Sequence, residues 1–380
     1  MRIGLDGMPL AQPKTGVGTY TLELASALAG LAPREIFELV SPLPYQGSIL
    51  AEPRPANLHL VYSKPTVLGR HWWTMGLPSY IRRNSLDLFH GTNYEVPLRA
   101  SGPSVITIHD LSLLLHSNTH DARAVRRARL RLPLMTRKAT CIITPSEEVR
   151  GEVCEHLHVH PDKVFPVPLA PRSNFVRLST EETIECRRRL GVGDDFLLFV
   201  GTVEPRKNLS TLVRALEQVV RSTELRPMLV VAGQMGWKPD QFTSQLRNSA
   251  VRDLVHLTGY VSEDDLRALY SSCRLFIYPS IYEGFGLPPL EAMACGAPVI
   301  ASRVPSVAEA NGVRLIDPHD VDDLARSIVE LLTDNSARQS LSAAGLKHAS
   351  NFSWGRTAKT TLEVYRRAIT VLGSGQYHLR

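Results

Sequence analysis

The chain reads as an α/β protein of two domains, each built on its own open parallel sheet. Three observations predict this. Short apolar runs rich in Val, Ile, Leu and Phe recur along the 380 residues, as suits strands buried on both faces. Amphipathic helical patterns separate many of them, and strand–helix alternation argues for α/β layers. A polar, proline-containing stretch near the middle divides the runs into two series. Two domains of nearly 180 residues are more plausible than one twelve-stranded sheet.

The first series comprises residues 2–5, 36–40, 58–62, 86–89, 105–108, 141–143 and 164–167. The second comprises residues 196–200, 228–232, 254–257, 275–278 and 298–301. Helices are expected at 19–30, 181–190, 209–220, 264–271 and 289–295. Residues 169–174 form the linker, setting domain boundaries of 1–172 and 173–354. A final helix, about 354–372, places Ala358, Leu362, Tyr365 and Ile369 at helical spacing. The C-terminal segment 355–380 is assigned with the first domain.

Composition excludes several classes. With 43 % apolar and 21 % charged residues, the chain is neither disordered nor coiled-coil nor collagen-like. Forty-three basic residues against 37 acidic ones leave +6, too small an excess to imply nucleic acid. No apolar run approaches the ~18 residues of a membrane span, and mean hydropathy is -0.08. The Met1-Arg2-Ile3-Gly4-Leu5-Asp6 start reads as a strand and not a signal peptide. The five cysteines, Cys141, Cys154, Cys186, Cys273 and Cys295, are odd in number and form no CxxC pair. Reduced thiols in a cytoplasmic protein are expected.

In open α/β sheets ligands bind beyond the carboxyl ends of strands, and chemistry-bearing residues collect there. After the first strand, Thr15-Gly16-Val17-Gly18-Thr19 opens a helix. Gly16 and Gly18 suit either close backbone approach to an anion or an ordinary tight turn. The third glycine of a dinucleotide fingerprint is replaced by Thr21. His109-Asp110 follows the fifth run, and Gly201-Thr202-Val203-Glu204-Pro205-Arg206-Lys207-Asn208 follows the run at 196–200. Arg206 and Lys207 beside a helix start oppose the helix dipole, which a phosphate would correct; a solvated basic turn is the plainer reading. The most specific segment is Glu283-Gly284-Phe285-Gly286-Leu287-Pro288-Pro289-Leu290-Glu291. Its prolines suit a helix start and Gly296 the end. The loop amides of Gly284, Phe285 and Gly286 face an anion readily, and two carboxylates can accept bonds from sugar hydroxyls. For Glu291, plain stabilisation of the helix N-terminus is the competing role.

This segment, with the turn at 201–208, resembles the retaining glycosyltransferases of family 4, which have the GT-B fold. Glu283 and Glu291 match that family's Glu-x7-Glu pattern. Gly16-Val17-Gly18 is similar to its N-terminal glycine loop, His109 to its active-site histidine, and Glu204 to Asn208 to its diphosphate-binding turn. Phe352-Ser353-Trp354 and the last helix resemble the segment that crosses back to the N-terminal domain. The resemblance covers nearly the whole chain. It implies two Rossmann-like domains facing a cleft, the first for acceptor and the second for the nucleotide-sugar donor. Arg206 and Lys207 would hold the diphosphate and stabilise the leaving group, Glu283 would contact the donor sugar, and Glu291 the ribose. Gly16 and Gly18 would let the N-terminal loop approach the diphosphate, and His109 would shape the reaction centre. Transfer would retain anomeric configuration, the leaving diphosphate accepting the proton, without metal or other cofactor. The Glu pair is not read as a glycosidase dyad. One departure stands out: members often have Pro-Glu-Val where this chain has Pro305-Ser306-Val307. No role is assigned to Ser306 or Glu309.

Within the family the chain looks most like bacterial mannosyltransferases of surface-polysaccharide assembly. That makes GDP-mannose the first donor to test and a glycan or lipid-linked molecule the expected acceptor. A GT-B sugar-nucleotide epimerase or hydrolase, and a non-catalytic sugar-nucleotide-binding subunit, are the alternatives; the missing third glycine disfavours a nicotinamide dehydrogenase. Asp317, Asp320, Asp322 and Asp323 include a DxD, read as capping of a helix at 324–332 with Asp320 as N-cap. His156, His158 and His160 are read as a surface loop, since nothing completes a metal set. The stretch 123–138 carries seven cations and no acid. On a helix Arg123, Arg126, Arg127 and Arg131 span about 140°, either as a solvated face or as a dock for an anionic membrane surface, the inner face of the membrane in this reading. Nucleic acid is disfavoured because no aromatic residues interleave.

Overall fold

The computed structural model describes residues 1–12, 15–46, 49, 55–64, 71–99, 102–236 and 239–373. The part of the expected C-terminal segment at 374–380 lies outside them. The chain divides into two compact units. One comprises Met1–Leu114, Arg123–Leu169 and the residues from Ser353 onward; the other comprises Leu115–Ala122 and Ala170–Phe352. Arg172, assigned by sequence to the first domain, thus groups with the second unit.

The first unit holds β1 (Arg2–Asp6), β2 (Ile36–Ser41), β3 (Leu58–Tyr62), β4 (Leu88–Gly91), β5 (Ser104–Thr107), β6 (Cys141–Thr144) and β7 (Val164–Pro166). Its helices are α1 (Gly16–Leu31), α2 (Leu77–Arg83), the single turn α3 (Ser112–Leu115), α4 (Ala122–Lys138) and α5 (Glu147–His156). The sheet is parallel throughout, ordered β3-β2-β1-β4-β5-β6-β7. Register is set by pairs such as Ile3 with Phe37 on one side of β1 and Leu88 on the other.

In the second unit the strands are β8 (Phe196–Val200), β9 (Met228–Ala232), β10 (Val255–Gly259), β11 (Leu275–Tyr278), β12 (Val299–Ser302) and β13 (Val313–Ile316). The helices are α6 (Thr180–Leu190), α7 (Leu209–Ser222), α8 (Pro239–Arg247), α9 (Glu263–Ser272), α10 (Leu287–Ala294), α11 (Val321–Thr333) and α12 (Asn335–Ala349). The order is β10-β9-β8-β11-β12-β13, again parallel. The last helix, α13 (Trp354–Gly373), belongs to the first unit and packs on α1.

Local chemistry explains the boundaries. α1 begins three residues earlier than the pattern predicts because the Thr15 hydroxyl caps it, accepting from Gly18 N at 3.3 Å. α6 opens on a capping box between Ser179 and Glu182 and ends at Gly191 with φ +66°. Asp320 caps α11, accepting from Asp323 N at 2.8 Å. β4 lies two residues beyond the run at 86–89. Leu86 instead joins the apolar cluster of Ile81, Phe89 and Trp72. β13 has no counterpart in the sequence reading, because Arg314 interrupts its short run at the sheet edge. All five cysteines are free thiols.

Candidate active site

Each sheet reverses its strand order once, and ligands bind outside the carboxyl ends of the strands at such a switch point. In the second unit the reversal lies between β8 and β11. The loops leaving those two strands are the ones singled out by sequence. The 201–208 loop makes a 3₁₀ turn at Pro205–Lys207, then Asn208 adopts φ +58° and α7 begins. The Asn208 side chain donates to Pro279 O at 3.1 Å and Pro318 O at 2.7 Å, and Ile281 N donates to Arg206 O at 2.9 Å. These bonds lock the two loops together.

The result is a buried charged cluster and not a solvated basic turn. Arg206 and Lys207 are each 9 % exposed. Lys207 Nζ donates to Glu283 Oε1 at 2.5 Å and to Tyr278 OH at 2.8 Å. Arg206 Nη1 lies 3.1 Å from Glu283 Oε2 and donates to Tyr282 O at 2.7 Å, while Nη2 donates to Glu204 at 2.9 Å. The Tyr278 hydroxyl donates to the same Glu283 oxygen at 2.9 Å, and Ser280 Oγ at 2.5 Å. Burial pushes the Glu283 carboxyl up, but the Lys207 and Arg206 charges outweigh it and hold the group at about 2. Burial also pushes the Lys207 ammonium down, opposed by Glu283. Lys207 has three protons and these contacts engage two. The cluster therefore presents two fixed cations and a fixed carboxylate in a desolvated setting.

The Gly284-Phe285-Gly286 loop is shaped by its surroundings. Gly286 has φ +93°, and a Cβ there would sit 2.6 Å from Val304 Cγ2. Ser306, to which sequence gave no role, is 1 % exposed. Its hydroxyl donates to Gly286 O at 2.6 Å and its amide to Phe285 O at 2.8 Å. Phe285 packs edge-on against Phe352 at 6.0 Å. Glu291, in the second turn of α10, is 2 % exposed, and its carboxylate lies 3.1 Å from Arg172 Nε. Arg172 also stands over the Phe175 ring at 4.5 Å. His116 brings its ring 4.8 Å from that of Tyr282.

In the first unit the reversal lies between β1 and β4. Gly18 backs onto Pro9 O, which a Cβ would approach to 3.1 Å, whereas Gly16 has open space beside it. His109 Nε2 donates to Thr92 O at 2.8 Å, since a carbonyl can only accept. Its ring meets Tyr20 and Tyr94 edge-on. Burial lowers the His109 pKa, so the neutral ring keeps an Nδ1 lone pair able to accept from a hydroxyl. Behind it His90 is fully buried, its Nδ1 2.7 Å from Tyr365 OH and its Nε2 2.8 Å from Thr107 Oγ1. Thr107 Oγ1 lies 2.9 Å from Tyr20 OH, which completes a network joining β4, β5, α1 and α13.

Comparison with known proteins follows the same division. Residues 14–170 match the family model "Glycosyltransferase Family 4", and residues 181–348 match "Glycosyl transferases group 1". The chain is 31 % identical to the O-antigen chain mannosyltransferase B of Escherichia coli, over 96 % of this chain and all of that protein. It belongs to glycosyltransferase family 4. Among solved structures it superposes on sucrose-phosphate synthase from Thermosynechococcus elongatus with TM-score 0.78 and 20 % identity, covering 98 % of this chain and 100 % of that one. With WaaG, a glycosyltransferase involved in lipopolysaccharide biosynthesis, the TM-score is 0.73 at 18 % identity, covering 96 % and 99 %. These likenesses show the GT-B fold of two Rossmann-like units.

Sequence reading of this glycosyltransferase missed Tyr278, Ser280 and Arg172, the partners that fix Glu283 and Glu291. Tyr278 and Ser280 flank the end of β11, so strand-end position was the available signal. Arg172 sat in a stretch read as linker. The basic helix α4 also differs in detail. Arg123, Arg126 and Arg127 are exposed, with Leu130 70 % exposed beside them. Arg131 is instead held by both oxygens of Glu95, which withdraws it from the expected docking set. Among the described residues no helix is long and apolar enough to cross a membrane.

Proposed function

We propose that this glycosyltransferase moves a hexose, mannose from GDP-mannose in the first instance, to a glycan or lipid-linked acceptor in surface-polysaccharide synthesis. The observation that carries the reading is the buried Arg206–Lys207–Glu283 cluster at the carboxyl ends of β8 and β11. Two preorganised cations suit a diphosphate, and they stabilise the charge that develops on it as the glycosidic bond breaks. Glu283 is held ionised and can accept from donor-sugar hydroxyls. Glu291 binds the ribose, and Gly284, Phe285 and Gly286 supply loop amides. Gly16 and Gly18 contact the diphosphate, and the neutral His109 shapes the reaction centre. Transfer is retaining and needs no metal: the diphosphate oxygen that leaves C1 takes the acceptor proton. The mannose assignment leans on the full-length similarity to an O-antigen mannosyltransferase. The enzyme works in the cytoplasm, its α4 arginines Arg123, Arg126 and Arg127 resting on an anionic membrane surface.

Calorimetric titration with GDP, UDP and ADP, first without metal and then with magnesium, tests this. GDP selectivity that magnesium leaves unchanged is the expected result. Selectivity for UDP or ADP overturns the donor, and a magnesium requirement overturns the metal-free mechanism.

A further inference from the structure

We propose a second anion site in the second unit, remote from the donor loops, for a phosphate-rich small solute: a triphosphate chain, free or carried on a nucleotide. A cleft of about 1300 Å³ is lined by α6 and α12 and reaches the amino ends of β8, β11 and β12, where Asp194, Arg274 and Pro298 sit just before the strands. The donor loops leave the opposite ends of the same strands. At ~3.3 Å per residue a five-residue strand separates the two places by roughly 15 Å.

The cleft is strongly cationic. Arg177, Arg187, Arg188, Arg274 and Arg338 line it, against Asp194 as its carboxylate. Part of this has a local cause. Arg187 and Arg188 occupy the last turn of α6, where cations complement the helix dipole. Arg338 donates to the terminal carbonyls of α11, including Leu332 O at 2.8 Å, and so closes that helix. Neither cause explains why Arg177 and Arg274, from two other segments, converge on the same place. Arg177 lies across Gly296, where a Cβ would come within 2.9 Å of its Cδ. Arg274 has a distant Asp195 oxygen, at 3.7 Å, as its carboxylate partner among the described residues.

Arg187 supplies the second observation. It is 7 % exposed, and its Nη1 is paired with Asp194. Its buried Nε has no hydrogen-bond partner among the described residues. A buried guanidinium N–H left unmatched is costly, and so is like-charge crowding. An anion in the cleft relieves the crowding. Burial, and then the Arg274 charge, already hold Arg338 below the usual arginine range. Guanidinium forks match phosphate oxygens in pairs, and five cations suit a chain of phosphates better than one carboxylate. The volume exceeds the ~300–1,000 Å³ of ordinary small-molecule sites, leaving room for a nucleoside.

The test is calorimetric titration of inorganic tripolyphosphate into the full chain carrying Lys207→Ala, which weakens the donor cluster. The site predicts retained binding that Arg188→Gln with Arg274→Gln weakens about tenfold or more. Both side chains are exposed, and melting curves check that the fold persists. Arg221→Gln with Arg252→Gln, outside the cleft, is expected to change affinity by less than about twofold. Absence of binding, abolition by Lys207→Ala alone, or equal loss in the two arginine pairs overturns the proposal. ATP binding tighter than tripolyphosphate to the same protein identifies a nucleotide ligand; equal affinity identifies the bare phosphate chain. The outcome is separable from the donor reading, because the donor cluster is weakened throughout and the Arg188–Arg274 pair lies outside it.

Discussion

Lys207 concentrates the chemistry of the second unit, since one ammonium ties Glu283 to Tyr278. Lys207→Ala should weaken nucleoside diphosphate binding about 10- to 100-fold, the value of one charge-assisted bond; unchanged affinity removes Lys207 from the site. Glu291→Gln should lower affinity for nucleoside diphosphates and leave pyrophosphate binding intact. Equal loss for both ligands rules out a ribose role. The same change breaks the pair with Arg172, so melting is measured alongside. In the first unit, two buried groups pull in opposite directions with pH. Burial raises Asp6 to about 7, with the Met8 amide opposing. Above the unfolded value near 4, the folded chain keeps a proton that the unfolded chain loses, so stability falls as pH rises from ~4 to ~7. Burial lowers His90 to about 3. Between ~6.5 and ~3 the unfolded chain binds the proton, so stability falls as pH drops. The two trends offset each other in the native protein. Asp6→Asn should uncover an acid-side loss of about 3 kcal/mol between pH 6.5 and 4. His90→Asn should uncover the opposite slope. Urea titrations that give all three proteins the same pH profile exclude this account. Arg206, Lys207, Glu283 and Glu291 were legible as a motif. Their counter-residues were not, because an ion partner is set by three-dimensional approach and carries no fixed spacing.

The element that governs the loop amides is α10. Its start depends on Gly286 at φ +93° and on Ser306 holding the Gly286 carbonyl. Gly286→Ala combines a left-handed backbone with a clash against Val304, and should destabilise the second unit by at least ~1 kcal/mol. Ser306→Ala should cost about 1 kcal/mol and leave the helix in place. Chemical denaturation ranks them, and a neutral Gly286→Ala contradicts the geometry. For α4, reversing Arg123, Arg126 and Arg127 to Glu should abolish sedimentation with anionic vesicles at low salt. Reversing Arg131 instead should damage stability, since it confronts Glu95. Vesicle binding unaffected by the triple change excludes docking through this face. Elements were readable where apolar runs and caps agreed, as for β8, α6 and α11. They were misplaced where a tertiary contact decided the boundary, as Leu86 did for β4, and unread where a charge broke a short edge strand, as Arg314 did in β13.

At the scale of the molecule, the fold class was the most legible property, because parallel strands buried on both faces write continuous apolar runs into the chain. Two units with separate sheets should melt in two calorimetric transitions. A nucleoside diphosphate held by the donor cluster should raise the transition of the second unit by RT ln(1 + [L]/Kd), about 2.7 kcal/mol at a hundredfold excess over Kd. A shift confined to the other transition places the nucleotide elsewhere. The chain path has a further consequence. The first unit is discontinuous: α13 completes its packing against α1 and carries Tyr365 to His90, yet it is encoded after the whole second unit. Synthesis is vectorial, and domains ordinarily close in the order in which they emerge. Here that order is inverted. The second unit can finish while the ribosome still holds the tail, and the apolar flank of α1 stays uncovered until the last helix leaves the exit tunnel. A nascent chain arrested before residue 354 would therefore expose a sticky first half beside a finished second half. Chaperone demand during translation should centre on that interval.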